Sequence, residues 1–168
     1  MSKTPEELVR VIEQVFEGVP YPGDDDAMIE PGPDGYYRET LASTWRGLSW
    51  RNVDAAWLAK EGEDALIFMT PASVHYYMPA FLIAAVLSYE AMDIAVDTLV
   101  SMLTPRPPSD DRRDRVDAIA AVFTPAQARV IAEVLQWLRD THGPDFLPDE
   151  TGVSLLDRAT EYWHSRPQ

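Results

Sequence analysis

Thr70-Pro71-Ala72-Ser73-Val74-His75-Tyr76-Tyr77-Met78-Pro79-Ala80-Phe81-Leu82-Ile83-Ala84-Ala85-Val86-Leu87 is the stretch that decides how this chain folds. Val74, Tyr77, Met78, Phe81, Leu82, Ala85, Val86 and Tyr89 recur at helical spacing along one face. Ile83, Ala84 and Leu87 widen that face, which predicts a central helix buried on most sides. Thr70 and Pro71 write its start. First-turn N–H groups lack partners, so a hydroxyl acceptor helps and a proline N–H is not missed. Pro79, inside the pattern, predicts a kink through its ring and its missing donor.

The same start occurs twice more, as Thr4-Pro5-Glu6-Glu7 and Thr124-Pro125-Ala126-Gln127. Glu7 and Gln127 stand where they can reach back to the capping residue. The first predicts a helix over 5–17, with Leu8, Val11, Ile12, Val15 and Phe16 inward, ended near Gly18. The second predicts 125–141, with Ile131, Val134, Leu135 and Leu138 inward and Gly143-Pro144 as its stop. Shorter helices are predicted at 36–45, 53–60 and 116–123, a longer one continues through Leu103, and the last covers 152–164, with Leu155 and Leu156 both inward. Residues 65–69 read as a short extended segment or strand without an evident pairing partner. Two loops interrupt the pattern: 19–35, rich in Pro, Gly and Asp, and 104–113, rich in Pro and charge. The expected fold is all-α, a bundle of six to eight helices in a single domain over 1–168.

Charge narrows the function classes. The chain has 28 acids against 14 bases, a formal charge of −14. Such a field repels phosphates and anionic lipid, so neither nucleic acid nor membrane is expected as a partner; a basic protein is. Without cysteine there is no disulfide, thiolate nucleophile or zinc–thiolate site. The polar N-terminal residues lack the apolar core of a signal peptide, and the expected location is cytoplasmic.

No residue pattern spells out chemistry. His75, His142 and His164 lie in separate segments, and the helical zinc-site spacing is absent. Three consecutive aspartates, Asp24, Asp25 and Asp26, point in different directions and lack the spacing of a calcium loop, so no metal is expected. There is no nucleophile elbow, phosphate-cradling loop or dinucleotide fingerprint, and no catalytic residue or cofactor is expected. Trp45, Trp50 and Trp57 read as core beneath the short helices; an exposed one would mark an interface anchor.

Taken in order, Pro20-Tyr21-Pro22-Gly23-Asp24, the run Leu66 to Pro71, Tyr76-Tyr77-Met78-Pro79-Ala80-Phe81, Phe123-Thr124-Pro125-Ala126-Gln127 and Tyr162-Trp163 resemble a bacterial family of unknown function. Asp25 and Asp26 extend the acidic turn beyond that family's pattern. The resemblance implies a shared fold and transfers no catalytic residue. The functional expectation is a non-enzymatic binding protein, specifically an immunity protein that neutralises a toxin by covering its active surface. Its candidate contact residues are Asp24, Asp25, Asp26, Glu30 and Asp34 on the first loop and Asp110 and Asp111 on the second. The alternatives are a hydrolase-type enzyme with an unfamiliar carboxylate or histidine site, and a regulatory or oligomeric interaction domain.

Overall fold

The three threonine–proline starts fold as written. In the computed structural model, which describes residues 3–24, 28–30 and 35–166 (for 35–37 the backbone only), α1 spans Pro5–Phe16, α4 Pro71–Leu87 and α8 Pro125–His142. Thr4, Thr70 and Thr124 each accept from the third helical N–H, and Glu7 and Gln127 close the reciprocal box on α1 and α8. The other helices are α2 (Gly35–Trp45), α3 (Ala55–Phe68), α5 (Tyr89–Met92), α6 (Ala95–Leu103), α7 (Arg113–Ala121) and α9 (Leu155–Ser165). Short 3-10 turns lie at Trp50–Asn52 and Gly143–Asp145. The architecture is all-α, with nine helices among the described residues. One of the nine, α5, is a single turn at the corner after Leu87.

Residues 65–69 differ from the reading as an extended segment. Helix α3 does not stop at Lys60; it continues through Gly62 to Phe68. Gly62 is buried, and a Cβ there would lie 3.2–3.3 Å from Leu58 and Phe81. Glycine is thus the residue that lets α3 press against α4. Only Met69 is extended, and it does have a partner: it forms an isolated antiparallel bridge with Ile29. The Glu30 N–H donates to the Phe68 carbonyl at 2.7 Å and the Thr70 N–H to that of Met28 at 2.9 Å. Residues 28–30 of the first loop are thereby pinned to the α3–α4 junction.

Helix α4 runs through Pro79 without a break and carries the centre of the core, with Val74, Tyr77, Met78, Phe81, Leu82 and Ala85 sealed from solvent. Leu87, on the inward side by periodicity, is instead 53% exposed, because the chain turns away after it. Helices α1 and α8 pack on α4 and on each other, α9 packs on α8 and α6, and α3 lies between α4 and α6. The last helix starts three residues later than predicted. Ser154 and Asp157 form its capping box, with the shorter acid in the role of the usual Glu. Among the described residues no single helix is long and apolar enough to cross a membrane.

Candidate functional site: a groove between α3, α6 and α7

Four of the seven predicted contact acids fall among the described residues, and three of these four are held by neighbours. Asp24 accepts from the Tyr21 hydroxyl at 2.5 Å, and that hydroxyl accepts from the Gly47 N–H at 2.8 Å. Burial and the Asp24 carboxylate push the Tyr21 pKa up, which keeps its proton in place. Glu30 lies 3.7 Å from the Arg115 guanidinium. Asp110 takes the Arg112 Nε and Nη2 at 3.1 and 2.9 Å and the Arg112 backbone N–H at 2.8 Å. These hydrogen bonds hold its pKa down to about 2. Asp111 is exposed. Asp25, Asp26 and Asp34 lie outside the described residues.

Two of the histidines, His75 and His142, pack against aromatic rings, and His164 is exposed. His75 sits edge-on to Phe16 and Phe123, with Nε2 2.9 Å from the Gln127 Oε1. Buried Gln127 also accepts from the Thr124 N–H and donates to the Val15 carbonyl, tying α1 to α8. His142 stacks flat on Tyr89 with ring centres 3.7 Å apart. His164 Nδ1 lies 2.8 Å from the Thr160 carbonyl, a pure acceptor, so the proton belongs on Nδ1. It borders a shallow 150 Å³ cleft with Glu133 and Asp140, where Lys3 pairs with Glu133 at 2.6 Å. Among the described residues no group of three His, Asp or Glu side chains could hold a metal ion.

Several of the residues behind the family resemblance are packing residues too, whereas Ile67 is exposed. Tyr21 meets Tyr76 edge-on, and the Tyr77 hydroxyl donates to the Leu48 carbonyl at 2.8 Å. The Trp163 indole donates to the Leu103 carbonyl at 2.8 Å. Trp45 and Trp50 are buried and Trp57 is half-buried, the core role read from the sequence.

The feature that the sequence did not reveal is a groove of about 430 Å³ lined by α3, α6, α7 and the start of α9. Ile67, Ile94 and Leu155 open into it, 45%, 46% and 42% exposed, beside the buried Met102 and Val116. Leu155, read as inward, is therefore a groove residue. Ile94 follows Asp93, which turns the α5–α6 corner at φ +49°, a strained conformation for a residue other than glycine.

Five charged side chains also line the groove: Glu63, Asp97, Arg106, Arg112 and Arg115. The arginines are engaged by the protein itself. Arg106 Nη2 donates to the Ser101 carbonyl and hydroxyl at 2.9 and 2.6 Å. Arg115 Nη2 donates to the carbonyls of Leu66 and Met69 at 2.9 and 2.7 Å, clamping α7 to the end of α3. Arg112 is held by Asp110. Glu63 and Asp97 have no hydrogen-bond or ion-pair partner among the described residues. Burial first, and then the neighbouring Asp93 charge, raise the Asp97 pKa.

Two of the predicted acids meet this groove indirectly. Glu30 and Asp110 come from loops far apart in sequence, yet both face arginines that line it. The groove was missed because its lining comes from separate stretches between Glu63 and Leu155. One signal was present: Glu63 and Ile67 stand four apart on α3, off the face carrying Leu58 and Leu66.

No curated protein and no solved structure matches the chain. A family match spans nearly its whole length, residues 4–167, and on that match the protein belongs to the family of unknown function DUF6714.

Proposed function

We propose that this protein is a non-enzymatic binding protein that docks a basic protein partner in the α3–α6–α7 groove, acting as an immunity protein that covers a toxin's active surface. One observation carries the reading. Of the six large hydrophobic side chains exposed among the described residues, three, Ile67, Ile94 and Leu155, converge on one groove. Scattered exposed aliphatics need no explanation, but a convergent set with charged groups around it has the anatomy of a protein interface. A charge of −14 supports the partner's sign, because it accelerates encounter with a cationic surface. Exposed Asp111 adds to that field, whereas Glu30 and Asp110, already facing arginines, add less.

The test is capture and neutralisation. The wild-type chain should retain a basic protein whose toxicity, when expressed alone, is relieved by co-expression. The double variant Ile67→Asp/Ile94→Asp should lose both effects, while Leu87→Asp, outside the groove, should keep them. A toxin still neutralised by the groove variant would sink the proposal, as would a captured partner that is acidic.

A further inference from the structure

The geometry points to a particular occupant for the groove: a protein segment that lays an apolar side chain over Ile67, Ile94 and Leu155 and brings a neighbouring lysine or arginine against Glu63 and Asp97. This rests on the docking function proposed above and specifies its chemistry.

The charges around the groove decide the sign of the occupant. Counting residues alone, three arginines outnumber two acids there. Counting what is left for a ligand reverses the balance. Arg106 and Arg115 direct donors to Ser101, Leu66 and Met69, and Arg112 is held by Asp110. Glu63 and Asp97 remain exposed and unpaired among the described residues. An anionic occupant would face two carboxylates without counter-ions, beside arginines whose charge Asp110 and Glu30 already offset in part. A cationic one meets both carboxylates directly, and it counters the burial and the neighbouring Asp93 charge that together raise the Asp97 pKa.

The arrangement of these residues matches an amphipathic cation. On α3, Glu63 and Ile67 are one turn apart, and on α6, Asp97, Thr98, Ser101 and Met102 follow at helical spacing after Ile94. Each wall thus sets a carboxylate within a turn of an aliphatic side chain. Lysine and arginine stems lie along apolar surface while their heads seek a charge, so one basic side chain satisfies both parts of a wall. A volume of about 430 Å³ holds a few side chains, not a folded element.

The experiment uses the full chain and a fluorescein-labelled synthetic peptide of repeating Leu-Lys-Lys-Leu pattern, followed by anisotropy at moderate salt. The Glu63→Gln/Asp97→Asn variant should weaken binding by about tenfold or more, and Ile67→Ser/Ile94→Ser by a similar factor. The charge-matched control Glu6→Gln/Glu13→Gln, on α1, should change it by less than about threefold, the share due to the overall field. Thermal melting of each variant should match wild type, because the altered side chains are exposed. Equal losses in the groove and α1 variants would overturn the proposal, as would equally tight binding of a Leu-Glu-Glu-Leu peptide. The docking function and the cation chemistry fail separately. A neutralised toxin lost with Ile67→Asp/Ile94→Asp but indifferent to Glu63→Gln/Asp97→Asn overturns the cation chemistry alone. Groove-specific peptide binding in a chain that neutralises nothing supports the cation chemistry and overturns the immunity role.

Discussion

Helix α3 has two sides with opposite fates. One side faces the aromatic corner, where Trp45 sits edge-on to Trp57 and Tyr77 with ring centres 6.1 and 4.8 Å apart. There Trp45 and Tyr77 are sealed from solvent, and the Tyr77 hydroxyl donates to the Leu48 and Trp45 carbonyls, closing the turn after α2. Burial pushes the Tyr77 pKa up, so that donor stays protonated. The other side of α3 carries Glu63 and Ile67 into the groove, where side chains just as apolar stay uncovered. The lesson lies in the cover and not in the composition. Where the chain supplies its own carbonyls and rings, apolar residues stabilise the fold; where it does not, they are left for a partner.

The largest expected effect tests that division directly. Trp45→Ala should lower stability by about 3–5 kcal/mol, since it empties a sealed site whose neighbours are large rings. Trp45→Phe should cost much less, because the buried indole nitrogen has no hydrogen-bond partner among the described residues to lose. Ile67→Ser and Ile94→Ser, on the open side, should each stay within about 0.5 kcal/mol of wild type. Urea unfolding of the four variants is the measurement. A groove isoleucine as costly to change as Trp45 would mean that the groove is core, and the division would fail.

The two regions were unequally legible in the sequence. The corner was readable because local chemistry writes it. Thr70-Pro71 sets the start of α4, and periodicity then puts Tyr77 inward. The groove was not readable, because no local rule joins Glu63, Ile94, Arg106 and Leu155; only the packing of α3 on α6, and of α6 on α7 and α9, does so. Charge alone misled in the same way. Asp110 looked available in the sequence, but the arginine that holds it is only two residues away. Gly62 lies just past the predicted end of α3 at Lys60, and the close approach of α4 that makes a glycine useful there is not visible in the sequence.

Gly62 therefore gives the next, smaller test, at the seam between the two regions. Alanine is the better helix former by about 1 kcal/mol, which favours Gly62→Ala. Against that, the new methyl would meet Leu58 and Phe81 at 3.2–3.3 Å, and Phe81 is sealed in the core and cannot give way. Overpacking of this kind costs about 1–3 kcal/mol, so the net change should be a loss of about 1 kcal/mol. A gain in the urea midpoint would show that α3 and α4 approach less closely than the reading of α3 as a two-sided wall requires.

The smallest effect concerns whether the groove's arginines are engaged at all. An unperturbed aspartate titrates at about 3.9, and the bonds from Arg112 hold Asp110 at about 2. A folded-state value below the unfolded one stabilises the fold fully above about pH 4, and that contribution fades as pH falls toward 2. Wild type should thus exceed Asp110→Asn by a small margin at neutral pH, since solvent screens a surface pair, and the margin should vanish near pH 2. A carboxyl-detected NMR titration reads the same contact without unfolding the protein. Its midpoint for Asp110 should lie near 2 in wild type and return toward the ordinary range in Arg112→Gln. A wild-type midpoint near the ordinary value would mean that Arg112 is not held. Its guanidinium would then be open to a ligand's carboxylate, and the sign argued for the groove's occupant would have to be reconsidered along with the contrast between covered and uncovered walls.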